Sequence, residues 1–274
     1  MRRGVALVVL AACGWGTWSL FLRPSGLPAT ITSPGLFLII GLLTLPRALR
    51  LPPATWDRRT VLLMAGLVAA DAVNVLAFFA AIGKTSVQIA VLTHYLAPVL
   101  LALAAGPIEG VRVRGIVPAA LVAFAGLAVV LDPSTPPPIG ALLGVVSAIG
   151  YAANVLIARR LAATLDPWRS TSYHCLLAFV ALAPLAWGDL GAVTLRGSAI
   201  FALGGVIVGT GCGLIYLYGL MRIGSARAGV LAFFEPLVAV AVGALVWGEV
   251  VHPAAALGGA AVLGAGIYVA RQTR

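Results

Sequence analysis

The sequence predicts an all-α membrane protein with ten transmembrane helices arranged as two inverted five-helix repeats. Three observations predict it: an apolar composition, ten apolar runs of membrane-spanning length, and basic residues concentrated in every other connection between those runs. Of 274 residues, 61% are apolar and only 9% are charged, and the mean hydropathy is +1.07. A water-soluble chain of this length needs far more charged surface, whereas lipid solvates apolar side chains directly. The formal charge of +10 does not point to nucleic acid, because the basic residues sit in short clusters and form no continuous stripe.

Pro, Gly and Arg divide the apolar sequence into spans at 5–22, 31–49, 60–82, 85–105, 114–131, 139–159, 169–187, 198–220, 226–247 and 253–270. Each is close to the ~20 residues that cross the hydrocarbon as a helix, the conformation that satisfies its own backbone in lipid. The runs are continuous and do not alternate with period two, which argues against a β-barrel. With a cytoplasmic N-terminus, Arg23, Lys84 and Arg196 fall outside and the other 15 of 18 basic residues fall inside. That asymmetry follows the positive-inside rule, so both termini are expected on the cytoplasmic side of an inner or plasma membrane. A missed or invented span would scramble it.

Residues 132–138, Asp-Pro-Ser-Thr-Pro-Pro-Pro, read as a stiff linker between a first repeat at 1–131 and a second at 139–274. Five spans is an odd number, so the two halves take opposite orientations. A shift of 138 residues matches Pro98 with Pro236, Gly66 with Gly204, Lys84 with Arg222, Phe78 with Tyr216 and Tyr95 with Phe233. At a shift of 136, Trp15 meets Tyr151 and Arg23 meets Arg159; at 140, Glu109 meets Glu249. Halves related in this way can exchange conformations and open a central site to either side of the membrane. The alternative is a duplicated bundle acting as a scaffold or sensor, which solute flux in liposomes would distinguish.

Four ionisable residues fall deep within spans: Asp71, His94, His174 and Glu235. A carboxylate at that depth costs at least ~2.5 kcal/mol, so such residues usually face a cavity or a partner. Glu235 precedes Pro236, where a missing backbone donor loosens the helix, and is a candidate for proton exchange or amine binding. His94 lies one turn before Ala97, the repeat counterpart of Glu235, and suits a proton relay or substrate hydrogen bond; Thr93 is its nearest local partner. Asp71, Asn74 and Phe78 share one face of the third span, and Asp71 is the counterpart of Gly209 in a small-residue ridge of Gly205, Gly209 and Gly213. That face reads as cavity lining or as an interhelical hydrogen bond. His174, beside Ser172 and Tyr173, reads as structural.

Trp15, Trp18, Tyr95, Tyr151, Tyr216, Phe78 and Phe233 recur on repeat-related spans. Aromatic walls with carboxylates suit amines, zwitterions or planar cations at ~0.5–2 kcal/mol per cation–π contact. Trp56, Trp168, Trp187 and Trp247 lie near span ends, as interfacial tryptophans do. Pro98 and Pro236 are the expected helix kinks. The expected partners are a small organic substrate, the bilayer and protons. No phosphate-binding glycine loop, His-Glu-x-x-His site, nucleophile elbow or metal-ligand spacing occurs, so neither enzyme activity nor a cofactor is expected, and Cys13, Cys175 and Cys212 read as packing residues.

Several of these residues resemble the EamA-type transporters of the drug/metabolite transporter superfamily. The resemblance rests on Leu-Ala-Pro-Val at 96–99, Phe-Phe-Glu-Pro-Leu at 233–237, Trp-Gly-Glu at 247–249 and Gly14-Trp15-Gly16, within two five-span halves covering the chain. It implies an exporter or exchanger of amino acids, nucleobases, cofactors or toxic organic compounds. Thr93-His94-Tyr95 and Asp71 depart from the family's commonest pattern.

Overall fold

Helices occupy all ten predicted stretches in a computed structural model that describes residues 2–85, 87–110, 114–131 and 138–272. Linker residues 132–137, with Arg112 and Arg274 of the charge pattern, lie outside the described residues. We label the helices α1 (Arg2–Ser25), α2 (Ala29–Arg50), α3 (Arg58–Ile82), α4 (Ile89–Glu109), α5 (Ile116–Leu131), α6 (Ile139–Leu161), α7 (Pro167–Ala192), α8 (Leu195–Ile223), α9 (Ser225–Trp247) and α10 (Ala255–Arg271). Eight are long and apolar enough to cross a membrane, while α5 and α10 are shorter apolar helices of 16 and 17 residues. The described residues contain no strand.

Local chemistry sets the helix ends. Asp57 caps α3 by accepting from the Thr60 amide at 2.7 Å, and these Thr60 hydrogen bonds hold its carboxyl below the usual carboxylate range. Asp166 accepts from the Trp168 amide at 2.9 Å, with Pro167 at the first helical position of α7. Arg169, placed at the inner end of its span by the charge pattern, is buried. Its guanidinium donates to the Ala48 and Leu51 carbonyls at 3.2 and 2.8 Å, closing the C-terminal end of α2.

Four helices are interrupted. Turns break α1 at 16–18, α4 at Tyr95–Leu96 and α9 at Phe233. Pro98 and Pro236 lie in the first turns of the segments Ala97–Glu109 and Phe234–Trp247, where a missing N–H leaves no helical bond unmade. Those segments end at Gly110 and Gly248, whose φ values of 67° and 68° require glycine. In α8, residues Gly205–Gly211 form a π-helical turn, with Thr210 Oγ1 donating to the Gly205 carbonyl at 2.9 Å. The small-residue ridge is therefore not uniform: Gly205 packs on Ile39 and Gly209 on Leu36 of α2, while Gly209 and Gly213 both line a cavity.

The main helix contacts are α1 with α8, α3 with α6, α2 with α7, α5 with α10, α4 with α6, α1 with α9 and α4 with α9. Small residues permit the close ones. A Cβ on Gly126 of α5 would lie 2.6 Å from the Gly258 carbonyl of α10, and one on Gly150 of α6 would lie 2.8 Å from the Asn74 amide nitrogen and 3.0 Å from the Ala70 carbonyl of α3. Because those neighbours are backbone atoms, Gly150→Leu must part the helices. It is expected to cost ~1–3 kcal/mol, read as a lower unfolding temperature in detergent.

Candidate functional site

Two cavities meet where α1 and α6 present Trp15, Trp18 and Tyr151, which line both. The smaller, of about 190 Å³, is bounded by His94, Tyr95, Ala97 and Pro98 of α4 and by Ala232 and Glu235 of α9. The two broken helices thus meet at this cavity, and their interruptions place Tyr95 and Glu235 beside each other. The Tyr95 hydroxyl is the hydrogen-bond neighbour of the Glu235 carboxyl. Among the described residues no Lys, Arg or His forms an ion pair with Glu235.

The larger cavity, of about 320 Å³, lies among α1, α2, α3, α6, α7 and α8 and is mostly apolar. Its polar wall comes from three helices: Asp71 of α3, Asn154 of α6 and His174 of α7. Asn154 Nδ2 donates to Asp71 Oδ1 at 2.6 Å, and His174 Nε2 pairs with Asp71 Oδ2. The Phe37 ring meets the His174 ring edge-on at 6.0 Å. Asp71 therefore has a histidine partner inside the protein, whereas among the described residues Glu235 has no ion-pair partner. This contrast between the two cavity-wall carboxylates is the main electrostatic feature of the site.

The structure brings Trp15, Trp18, Asp71, His94, Tyr95, Tyr151, Tyr216 and Glu235 to the cavity walls. Asn74, Phe78 and Phe233 line neither and instead stand behind the lining. Ser147 Oγ donates to Asn74 Oδ1 at 2.8 Å and lies 2.8 Å from His94 Nδ1, so Asn74 orients His94 through Ser147. Thr93, the expected local partner, bonds the Ile89 carbonyl of its own helix at 2.7 Å. Phe78 packs on the His94 ring at 5.0 Å between centroids. Phe233 has no exposed surface and fills the core against Tyr95 at 5.8 Å between ring centroids.

His174 joins the site although the sequence reading set it aside. One signal was available: it is an ionisable residue inside an apolar span, one of three histidines in the chain. Trp247, read as interfacial filling, also has specific contacts. Its Nε1 donates to Ser19 Oγ at 3.1 Å, and the Arg23 guanidinium sits 5.1 Å from its ring centre.

A bundle of apolar helices enclosing a chamber with carboxylates at its wall is the architecture of a membrane transporter. The comparisons with known proteins agree. Residues 138–271 match the model of the EamA-like transporter family. An uncharacterized transporter of Archaeoglobus fulgidus is 34% identical over 275 residues, covering 98% of this chain and 97% of that protein. The chain belongs to the EamA-like transporter family, within the drug/metabolite transporter superfamily. A solved crystal structure, 21% identical and covering 97% of both chains, superposes with a TM-score of 0.80, which shows a shared fold.

Proposed function

We propose that this protein is a secondary transporter of small organic solutes such as amines or amino acids, working by alternating access between two inverted five-helix repeats. Glu235 is the group that takes up a proton or the substrate's cationic end. The observation that carries this reading is a carboxyl group in an aromatic cavity, between two broken helices, with no ion-pair partner among the described residues. Trp15, Trp18 and Tyr151 offer ring faces to the same ligand.

The inverted repeat is supported by the helix contacts. If α1–α5 correspond in order to α6–α10, a two-fold exchange turns the α1–α8 contact into the α6–α3 contact and maps α2–α7, α4–α9 and α5–α10 onto themselves. Close contacts also group the ends that the arginine pattern places together. Gly4 lies against Arg222 and Ile223, Gly115 against Tyr268 and Gln272, and Arg169 against Leu51. This reading places both termini in the cytoplasm and makes the larger cavity, bounded by Leu161 and Ser170, the inner half of the chamber.

The test is flux. Purified protein in liposomes is expected to move labelled amines or amino acids, faster with an opposing proton gradient. Absence of flux across a broad panel of both classes, from folded protein, would refute the proposal.

A further inference from the structure

Two Arg–Glu ion pairs hold opposite ends of the bundle. Glu109, at the end of α4, pairs with Arg159 near the end of α6; Arg23, near the end of α1, pairs with Glu249 just beyond α9. In the alignment of the two halves Arg23 matches Arg159 and Glu109 matches Glu249, so one pair is the repeat image of the other. Each ties the end of a broken helix to the helix that carries the shared cavity wall.

Their surroundings serve the same purpose by different means. At the inner pair, Arg160 Nη2 also donates to the Ile108 carbonyl at 3.1 Å, and Gly224, in the turn between α8 and α9, leaves room for both side chains. At the outer pair, Arg23 also stacks on Trp247, which is anchored to Ser19. Each glutamate sits beside a left-handed glycine, Gly110 or Gly248, at the end of a segment that begins at the break next to Tyr95 or Glu235. A segment free at its break and pinned at its far end is a lever, and the pin decides whether it moves.

We propose that Glu109–Arg159 and Arg23–Glu249 are the inner and outer gates of the transporter and are released in alternation. The proposal rests on the alternating-access reading above. The inner side chains are 27% and 9% exposed and the outer ones 51% and 49%, so solvent screens the inner pair less and it is the firmer gate.

The experiment uses Ala232→Cys, which places a thiol in the smaller cavity, in a chain whose Cys13, Cys175 and Cys212 are replaced by Ser. An impermeant maleimide is applied to vesicles of each orientation. Glu109→Gln is expected to speed labelling from the cytoplasmic side ~5-fold or more, and Glu249→Gln to speed labelling from the opposite side by a smaller factor. The charge-swapped pair Glu109→Arg with Arg159→Glu is expected to restore the unmodified rate, which a damaged fold would not do. Shifts toward the same side, no shift, or failure of the swap to restore would each overturn the gates. Flux measured in the same vesicles keeps the readings apart: a chain that transports without sided shifts loses the gates alone, whereas one that moves no solute loses the transporter reading itself.

Discussion

Glu235→Gln is expected to lower transport in proteoliposomes at least ~30-fold and to abolish the response to an imposed proton gradient. Losing one partner of a buried charge pair costs ~2–5 kcal/mol, and 1.4 kcal/mol is tenfold. Glutamine keeps the shape and the hydrogen bond to Tyr95 but carries no charge and holds no transferable proton. Folding is not expected to suffer, because the substitution removes the cost of enclosing a carboxylate that has no ion-pair partner among the described residues. The unfolding temperature in detergent should therefore stay level or rise. Glu235→Asp, which retains the charge, should recover part of the flux. A glutamine variant with wild-type rate and wild-type proton response would sink the assignment of Glu235.

Asp71 and His174 should behave in the opposite way. Replacing either alone, as Asp71→Asn or His174→Gln, leaves the other without its partner in a largely apolar wall. The expected cost is ~3 kcal/mol. That corresponds to roughly 6–12 °C in unfolding temperature for a chain of this size. The double variant should recover much of the loss, since amide and carboxamide can bond each other where imidazole and carboxylate did. A thermodynamic cycle in detergent measures this directly. Additive losses would show that the two side chains are not coupled. The stability contrast separates the two cavity-wall carboxylates: among the described residues Asp71 has an ion-pair partner and Glu235 has none.

Much of this was legible in the sequence, because hydropathy and turn residues act locally. Ten helices stand at the predicted stretches, and Pro98 and Pro236 mark the two interruptions at the smaller cavity. The π turn in α8 was not foreseen, although its glycine-rich stretch Gly204-Gly205-Val206-Ile207-Val208-Gly209-Thr210-Gly211 has little side-chain bulk to enforce regular packing.

The sequence by itself determined which segments are helical, that two of them break beside Pro98 and Pro236, and which residues are too polar for lipid, since each follows from the chemistry of a short stretch of chain. Which polar group meets which was decided by tertiary structure. His174 joins Asp71 across 103 residues, Ser147 rather than Thr93 serves His94, and Phe233 turns into the core. Even the repeat alignment, which matched arginine with arginine and glutamate with glutamate, did not join them to each other. Helical periodicity gives the direction of a side chain around its own axis, but a partner is chosen by the distance and rotation between two axes, and these emerge only when all the helices pack together.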